Sequence, residues 1–375
     1  MDYGAKGRLM IVKVADSLMK SIRWVCVLGS LKLLCTLLAV FVFARFSPLI
    51  DSDLYLSGFY ASDGTLRTRI IQGIVLTLSN YGCSVFIHWS FGVMSLAGML
   101  YYYLRGGVRW QLCLPLLLPS TLIWTSVIGK EAIFYGAFTL ALVIWARLAV
   151  IKLNLTDYGL LVAAVVICLL LRPHYAIGIL WLFVSTLVIE KSKKNVWVWL
   201  SLLAIFGLSI LWLFVWDPLL GRGFGNIDPT ARASRYVLFG IEPGTAVGFN
   251  TYKSLLPLGA LLGIIGPLPT EVYSRPIFIP FFLEGVLLLL LPAGVYLYAC
   301  KQSFVHKHRF KSIFWLSLVP AILALMVLHA PFGLLNPGSA TRWRVNFEAI
   351  FHIAPLLLLY GFIDNDRHEN HPFPS

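Results

Sequence analysis

Apolar runs long enough to cross a bilayer recur along the whole chain, at roughly 26–49, 83–104, 111–128, 132–150, 157–171, 175–190, 196–215, 278–299, 313–331 and 347–363. A membrane-spanning helix needs about 20 predominantly apolar residues. In lipid every backbone amide must find its partner inside the spanning structure, so such a run becomes a helix. The sequence therefore predicts an all-α, polytopic transmembrane helix bundle of about ten spans. Composition supports this, because 59% of the 375 residues are hydrophobic and only 13% are charged. That is too little charge to build a soluble surface, which excludes a cytosolic enzyme, a secreted disulfide scaffold and a disordered chain. The organisation expected is one integral membrane domain, 1–363, and a short, inert cytoplasmic tail, 364–375. External loops fall at 51–82, 216–277 and 332–346, with two short apolar pieces, 70–79 and 255–268, as interfacial or re-entrant segments.

Charge sets the orientation. The chain carries a formal +13, but no basic domain lies outside the apolar runs to hold nucleic acid. With the amino terminus inside, the cytoplasmic ends hold Lys6, Arg8, Lys13, Lys20, Arg23, Lys32, Arg105, Arg109, Arg147, Lys152, Lys191, Lys193, Lys194, Lys301, Lys307, Arg309, Lys311 and Arg367. This is most of the basic residues, in the shorter loops, as the positive-inside rule requires. Both termini are expected to be cytoplasmic, and the basic start reads as a retained first span rather than a cleaved signal. The six cysteines stand singly with no metal-ligand spacing, and act as small core hydrophobes.

The same threading sends a second set of ionisable residues to the external side, where orientation does not explain them and function is the default reading. Asp51 and Asp53 follow the first span directly. Two acids so spaced supply a general base for a hydroxyl plus a metal ligand or hydroxyl acceptor. No cofactor beyond a divalent cation is called for, and the sequence does not fix that one. Lys130 and Glu131 fill a connection with almost no loop, Lys130 facing a phosphate and Glu131 orienting it. Arg172 and His174 fill another, and Arg172 suits bidentate phosphate contact. Arg342 and Arg344 lie in a loop of small polar residues that suits an anion. Arg232, Arg235 and Glu271 add substrate-binding candidates from the long external region. Acids and cations gathered on one side of a lipid-immersed bundle match a substrate with a phosphate, an apolar tail and a hydroxylated head.

These residues carry a resemblance. An acidic pair just after the first span is similar to the pattern of GT-C-class glycosyltransferases, which use lipid-linked sugars. The segments Pro119-Ser120…Gly129-Lys130-Glu131, Pro267-Leu-Pro269-Thr-Glu271…Glu284-Gly285 and Asn336…Arg342-Trp-Arg344 resemble multispanning proteins of bacterial surface-polysaccharide clusters, glycosyltransferases or O-antigen polymerases. The likeness covers roughly 45–350. It implies a GT-C-like fold with interfacial helices on the periplasmic side of a bacterial inner membrane, and a catalytic acid at Asp51 or Asp53. It also implies transfer from an undecaprenyl-phosphate-linked donor to a lipid-linked glycan or other envelope acceptor, with Lys130, Arg172, Arg342 and Arg344 on the donor phosphate. The long loop lacks a histidine motif of the O-antigen ligase type. A lipid-linked oligosaccharide flippase or transporter is the alternative from another class, and it calls for internal repeats and broken helices at the midplane. An acyltransferase would use a deep histidine, for which His88 and His329 are the mid-span candidates.

Overall fold

The computed structural model describes residues 22–46, 49–60, 65–107, 109–191, 196–210 and 249–370, together with Met19 and Arg235. Among these residues every regular element is a helix. In chain order they are α1 (Ile22–Arg45), α2 (Ile50–Leu56), α3 (Leu66–Ser79), α4 (Ser84–Met94), α5 (Ala97–Leu104), α6 (Pro119–Trp124), α7 (Lys130–Leu148), α8 (Leu155–Leu171), α9 (Pro173–Lys191), α10 (Val196–Ile210), α11 (Phe249–Ile265), α12 (Pro269–Ser274), α13 (Pro276–Lys301), α14 (Lys307–Leu334), α15 (Pro337–Arg344) and α16 (Ala349–Asn370). Six helices are long and apolar enough to cross a membrane: α1, α7, α9, α13, α14 and the joined stretch Pro337–Asp366. A seventh is reached if α4 and α5, bent by 56° at their junction, count as one span. The fold is that of a polytopic membrane helix bundle.

Helix α7 is its axis. In its most apolar window 83% of residues are buried, against 22% in α13 and 28% in α1. It packs on α5, α8 and α16, while α13 presents Leu283, Leu287, Leu290 and Leu297 outward. An apolar stripe of that kind is an aggregation hazard in water and an ordinary surface in lipid. Where helices close most tightly, glycine makes the space. A methyl on Gly136 would overlap the Met94 carbonyl, and one on Gly98 would overlap the Thr139 backbone. Gly259 and Gly263 form a GxxxG pair on α11 that lets it close on Gly333 of α14, as small residues do between membrane helices.

The ion pairs divide between two ends. Glu131 and Arg147 lie near opposite ends of α7, about 24 Å apart at about 1.5 Å per residue, in a bilayer core of about 30 Å. At the Arg147 end, Asp157 pairs with Arg105 (2.9 Å) and Arg147 (3.5 Å) and closes a capping box with Asn154 at the start of α8. Arg109 pairs with Asp364, and Arg309 with Glu190. The acidic tail is therefore not inert. It continues α16 to Asn370, and Asp366 also accepts from the Val305 amide at 3.2 Å. At the other end lie Asp51, Glu131, Arg172 and Arg342.

Three expectations about single segments change. Residues 111–128 are not one helix, because Pro115 and Pro119 break the run. A 3-10 helix over Trp110–Leu117 leads to the short α6 and then to irregular backbone at 125–129. Irregular backbone at membrane depth needs protein partners. It finds them in Thr36 donating to Ser126 O (3.1 Å), Ser52 donating to Ile128 O (2.8 Å) and His88 Nδ1 accepting from Ile128 N (3.1 Å). Residues 255–268 are not an interfacial piece but the end of α11, packed against α14 and α13. Gly266, at φ +81°, turns the chain there. Lys32 is not at a cytoplasmic end. It is fully buried inside α1 and donates to the hydroxyls of Thr125 and Ser126.

Candidate functional site

Four ionisable side chains from separate elements form an alternating chain at one end of the bundle. Arg342 Nη2 lies 2.5 Å from Asp51 Oδ2, and its Nε lies 3.3 Å from Glu131 Oε1. Arg172 Nη2 donates to the same Glu131 oxygen at 2.8 Å. Asp51 comes from the first turn of α2, Glu131 from the first turn of α7, Arg172 from the α8–α9 corner and Arg342 from the last turn of α15. Each position follows from local sequence. Pro173 ends α8 and opens α9 at once, so Arg172 cannot retreat into a loop. Asn336 caps α15 by accepting from Ser339 N at 2.7 Å, with Pro337 at the first helical position.

The chain grades from buried to open. Glu131 and Arg172 side chains are 5% and 8% exposed, whereas Arg342 and Asp51 reach 26% and 45%. Tryptophans back both guanidinium groups. Arg172 lies 4.2 Å from the centre of the Trp343 ring and Arg342 lies 5.0 Å from that of Trp124, within the range of cation–π attraction. Leu49, Asp51, Ser52, Trp124, Val127, Ile128, Glu131 and Arg342 line a pocket of about 260 Å³, its mouth included. That lies just below the usual range for ligand sites, about 300–1,000 Å³, so the pocket takes a head group and not a whole lipid-linked sugar. Arg172 Nε, Arg342 Nε and Trp124 Nε1 are buried donors with no hydrogen-bond acceptor. Beside the pocket, burial first and the Glu131 carboxylate second push the Tyr55 phenol well above its ordinary range. It therefore stays a neutral hydroxyl. Chemically, the arrangement offers one accessible carboxylate, two guanidinium groups and unfilled donors around a small opening.

The other sequence candidates lie elsewhere. Asp53 is exposed and off the pocket. Residues 51 and 53 share a helix, not a loop, so their side chains diverge by about 200°. Arg344 and Arg342 are separated in the same way on α15. Arg344 is fully buried and donates to Ser120 Oγ and Glu284 Oε2, both at 2.8 Å, and to Ile264 O. Lys130 donates to Thr68 Oγ1 at 2.9 Å, near the chain but outside the pocket lining. His174 is buried against Tyr175, with ring centres 4.1 Å apart. Arg235 forks onto Glu271 (2.8 and 2.5 Å) and donates to Gly333 O and Gly266 O. With Arg344 on Ile264 O, it satisfies the last carbonyls of α11, the favoured place for a cation. Arg232 lies outside the described residues. Among the described residues no three His, Cys, Asp or Glu side chains converge to hold a metal ion. The deep histidines have structural partners, His88 on Ile128 N and His329 between the Tyr175 hydroxyl (2.7 Å) and Ala340 O (3.0 Å).

No protein-family model, curated protein or solved structure matches this chain. The site is therefore read from its own geometry. Sequence reasoning missed Ser52, Tyr55, Trp124 and Trp343, although the last two stand inside segments it singled out. It also missed Lys32 and Glu348. Both lie in apolar runs, where a charge reads as a helix end until its partners are seen.

Proposed function

We propose that the chain is a membrane glycosyltransferase that moves a sugar from a polyprenyl-phosphate-linked donor to a lipid-linked glycan or other envelope acceptor. The observation that carries the reading is the meeting of Asp51 and Arg342, 291 residues apart in sequence, in one small opening at an end of an apolar bundle. In this reading Asp51 removes the proton of the acceptor hydroxyl. Arg342 and Arg172 stabilise negative charge as the phosphate leaves, and the isoprenoid lies along the lipid-facing helices. Glu131 holds the two guanidinium groups at a fixed separation, and Trp124 and Trp343 keep their planes in place. A repeat-unit polymerase uses the same parts with both partners lipid-linked. The reading counts ten crossings: the six long helices, the bent α4–α5 pair, the broken 110–129 stretch, α8 and α10. It places the pocket on the periplasmic side of a bacterial inner membrane with both termini in the cytoplasm.

The test is transfer from a radiolabelled polyprenyl-phosphate sugar by purified protein. Asp51→Asn should abolish transfer and keep donor binding, Arg342→Gln should weaken donor binding at least tenfold, and Asp53→Asn should do neither. Full transfer by Asp51→Asn ends the assignment. One observation favours the flippase alternative. The stretch 110–129 is broken beside a fully buried charged cluster, and broken helices near buried charge are common in transporters. Donor movement across vesicles without sugar transfer would favour that reading.

A further inference from the structure

Behind the pocket, Lys32, Glu284, Arg344 and Glu348 meet away from solvent, each 2% exposed or less. Their partners are shared unequally. Glu284 accepts from Ser120 N, from Ser120 Oγ at 2.6 Å and from Arg344 at 2.8 Å. Glu348 accepts one hydrogen bond, from Thr121 Oγ1, and its Oε2 has none. The Arg344 Nε lies 3.7 Å from that oxygen and is itself unpartnered. Lys32 is turned to hydroxyl groups and not to either carboxylate. The Tyr135 hydroxyl, within electrostatic reach of Glu348, and both ring nitrogens of His352, one turn further along, are likewise buried without partners.

Buried polar atoms are nearly always hydrogen-bonded, so a local group of unsatisfied ones calls for an explanation. Burying a carboxylate with one oxygen bare is costly, whereas a carboxylic acid needs only a single donor and acceptor. Polar orphans that converge also suit ordered water, which satisfies such groups. We propose that Glu348 is a proton-binding site, taking a proton from water that reaches its free Oε2 and returning it to water, so that the charge of the buried cluster changes by one. The groups that face it from the packed elements are Lys32, Thr121, Tyr135, Glu284, Arg344 and His352.

The site touches the pocket through one short helix. Thr121, the donor to Glu348, shares α6 with Trp124, and Val127 and Ile128 follow directly. A proton on Glu348 weakens the hold on Thr121 and with it the wall of the pocket. The inference does not depend on which substrate the pocket takes.

Infrared spectroscopy of the full-length purified protein tests it with no sugar donor present. Near neutral pH exposed carboxylates are ionised, so a carboxylic-acid carbonyl band reports a buried acid. The band should shift in D2O, fade on alkaline titration, vanish in Glu348→Gln and persist in Glu284→Gln. Absence of the band in the wild type, its survival in Glu348→Gln, or indifference to both D2O and pH overturns the proposal. If Glu348→Gln does not fold, Glu348→Asp should move the band, and an unmoved band overturns the proposal equally.

Discussion

Arg342 and Arg344 stand two residues apart on one short helix, and replacing each with methionine should have opposite consequences. Arg344→Met removes the donor to Ile264 O and Ser120 Oγ and the counter-charge 2.8 Å from Glu284. Both members of that pair are 0% exposed. Removing one partner of a buried ion pair costs about 3–5 kcal/mol, because the other charge stays behind without compensation. Arg342→Met leaves Asp51 45% exposed and able to turn to water, while Glu131 keeps Arg172 at 2.8 Å. Such an exposed pair is worth about 0–1 kcal/mol. The two variants should therefore differ by at least about 2 kcal/mol, about thirtyfold in the folded-to-unfolded ratio. The measurement is the fraction of detergent-solubilised protein that stays monodisperse after graded heating. The double variant Arg344→Met/Glu284→Gln should recover part of the loss, since it removes the stranded charge. Equal stability of Arg342→Met and Arg344→Met, or no recovery in the double variant, would refute the assignment of the two arginines to opposite faces of α15.

Gly333→Ala should prevent assembly of the bundle or cost about 1–3 kcal/mol by overpacking, because its methyl overlaps the Gly259 carbonyl. Gly159→Ala, with nothing within 4 Å, should behave like the wild type in the same heating assay. Asp157→Asn should cost about 1–2 kcal/mol, chiefly the cap of α8, and less than Arg344→Met because Arg105 and Arg147 can reach solvent. In a cysteine-free background, Tyr273→Cys, at a position 92% exposed, should react with an impermeant thiol reagent on intact cells. Leu155→Cys, at 87%, should react only after permeabilisation, and the reverse pattern would invert the orientation.

By itself the sequence determined the class of fold and the sorting of charge to two ends. Both follow from composition and from the length of apolar runs, which lipid reads without reference to tertiary contacts. It also singled out Asp51, Glu131, Arg172 and Arg342, because a charge in a connection with no loop must lie near the membrane surface. The tertiary structure alone decided which charges meet. Asp51-Ser-Asp53 and Arg342-Trp-Arg344 read as pairs along the chain, yet a helix of about 3.6 residues per turn sends alternate residues to opposite sides. One member of each pair therefore enters the pocket, while Asp53 goes to solvent and Arg344 to the core. The broken stretch 110–129 and the burial of Lys32 and Glu348 were hidden for the same reason. An apolar run shows how much of a segment can leave water, but not which polar atoms in it will find one another once the helices pack.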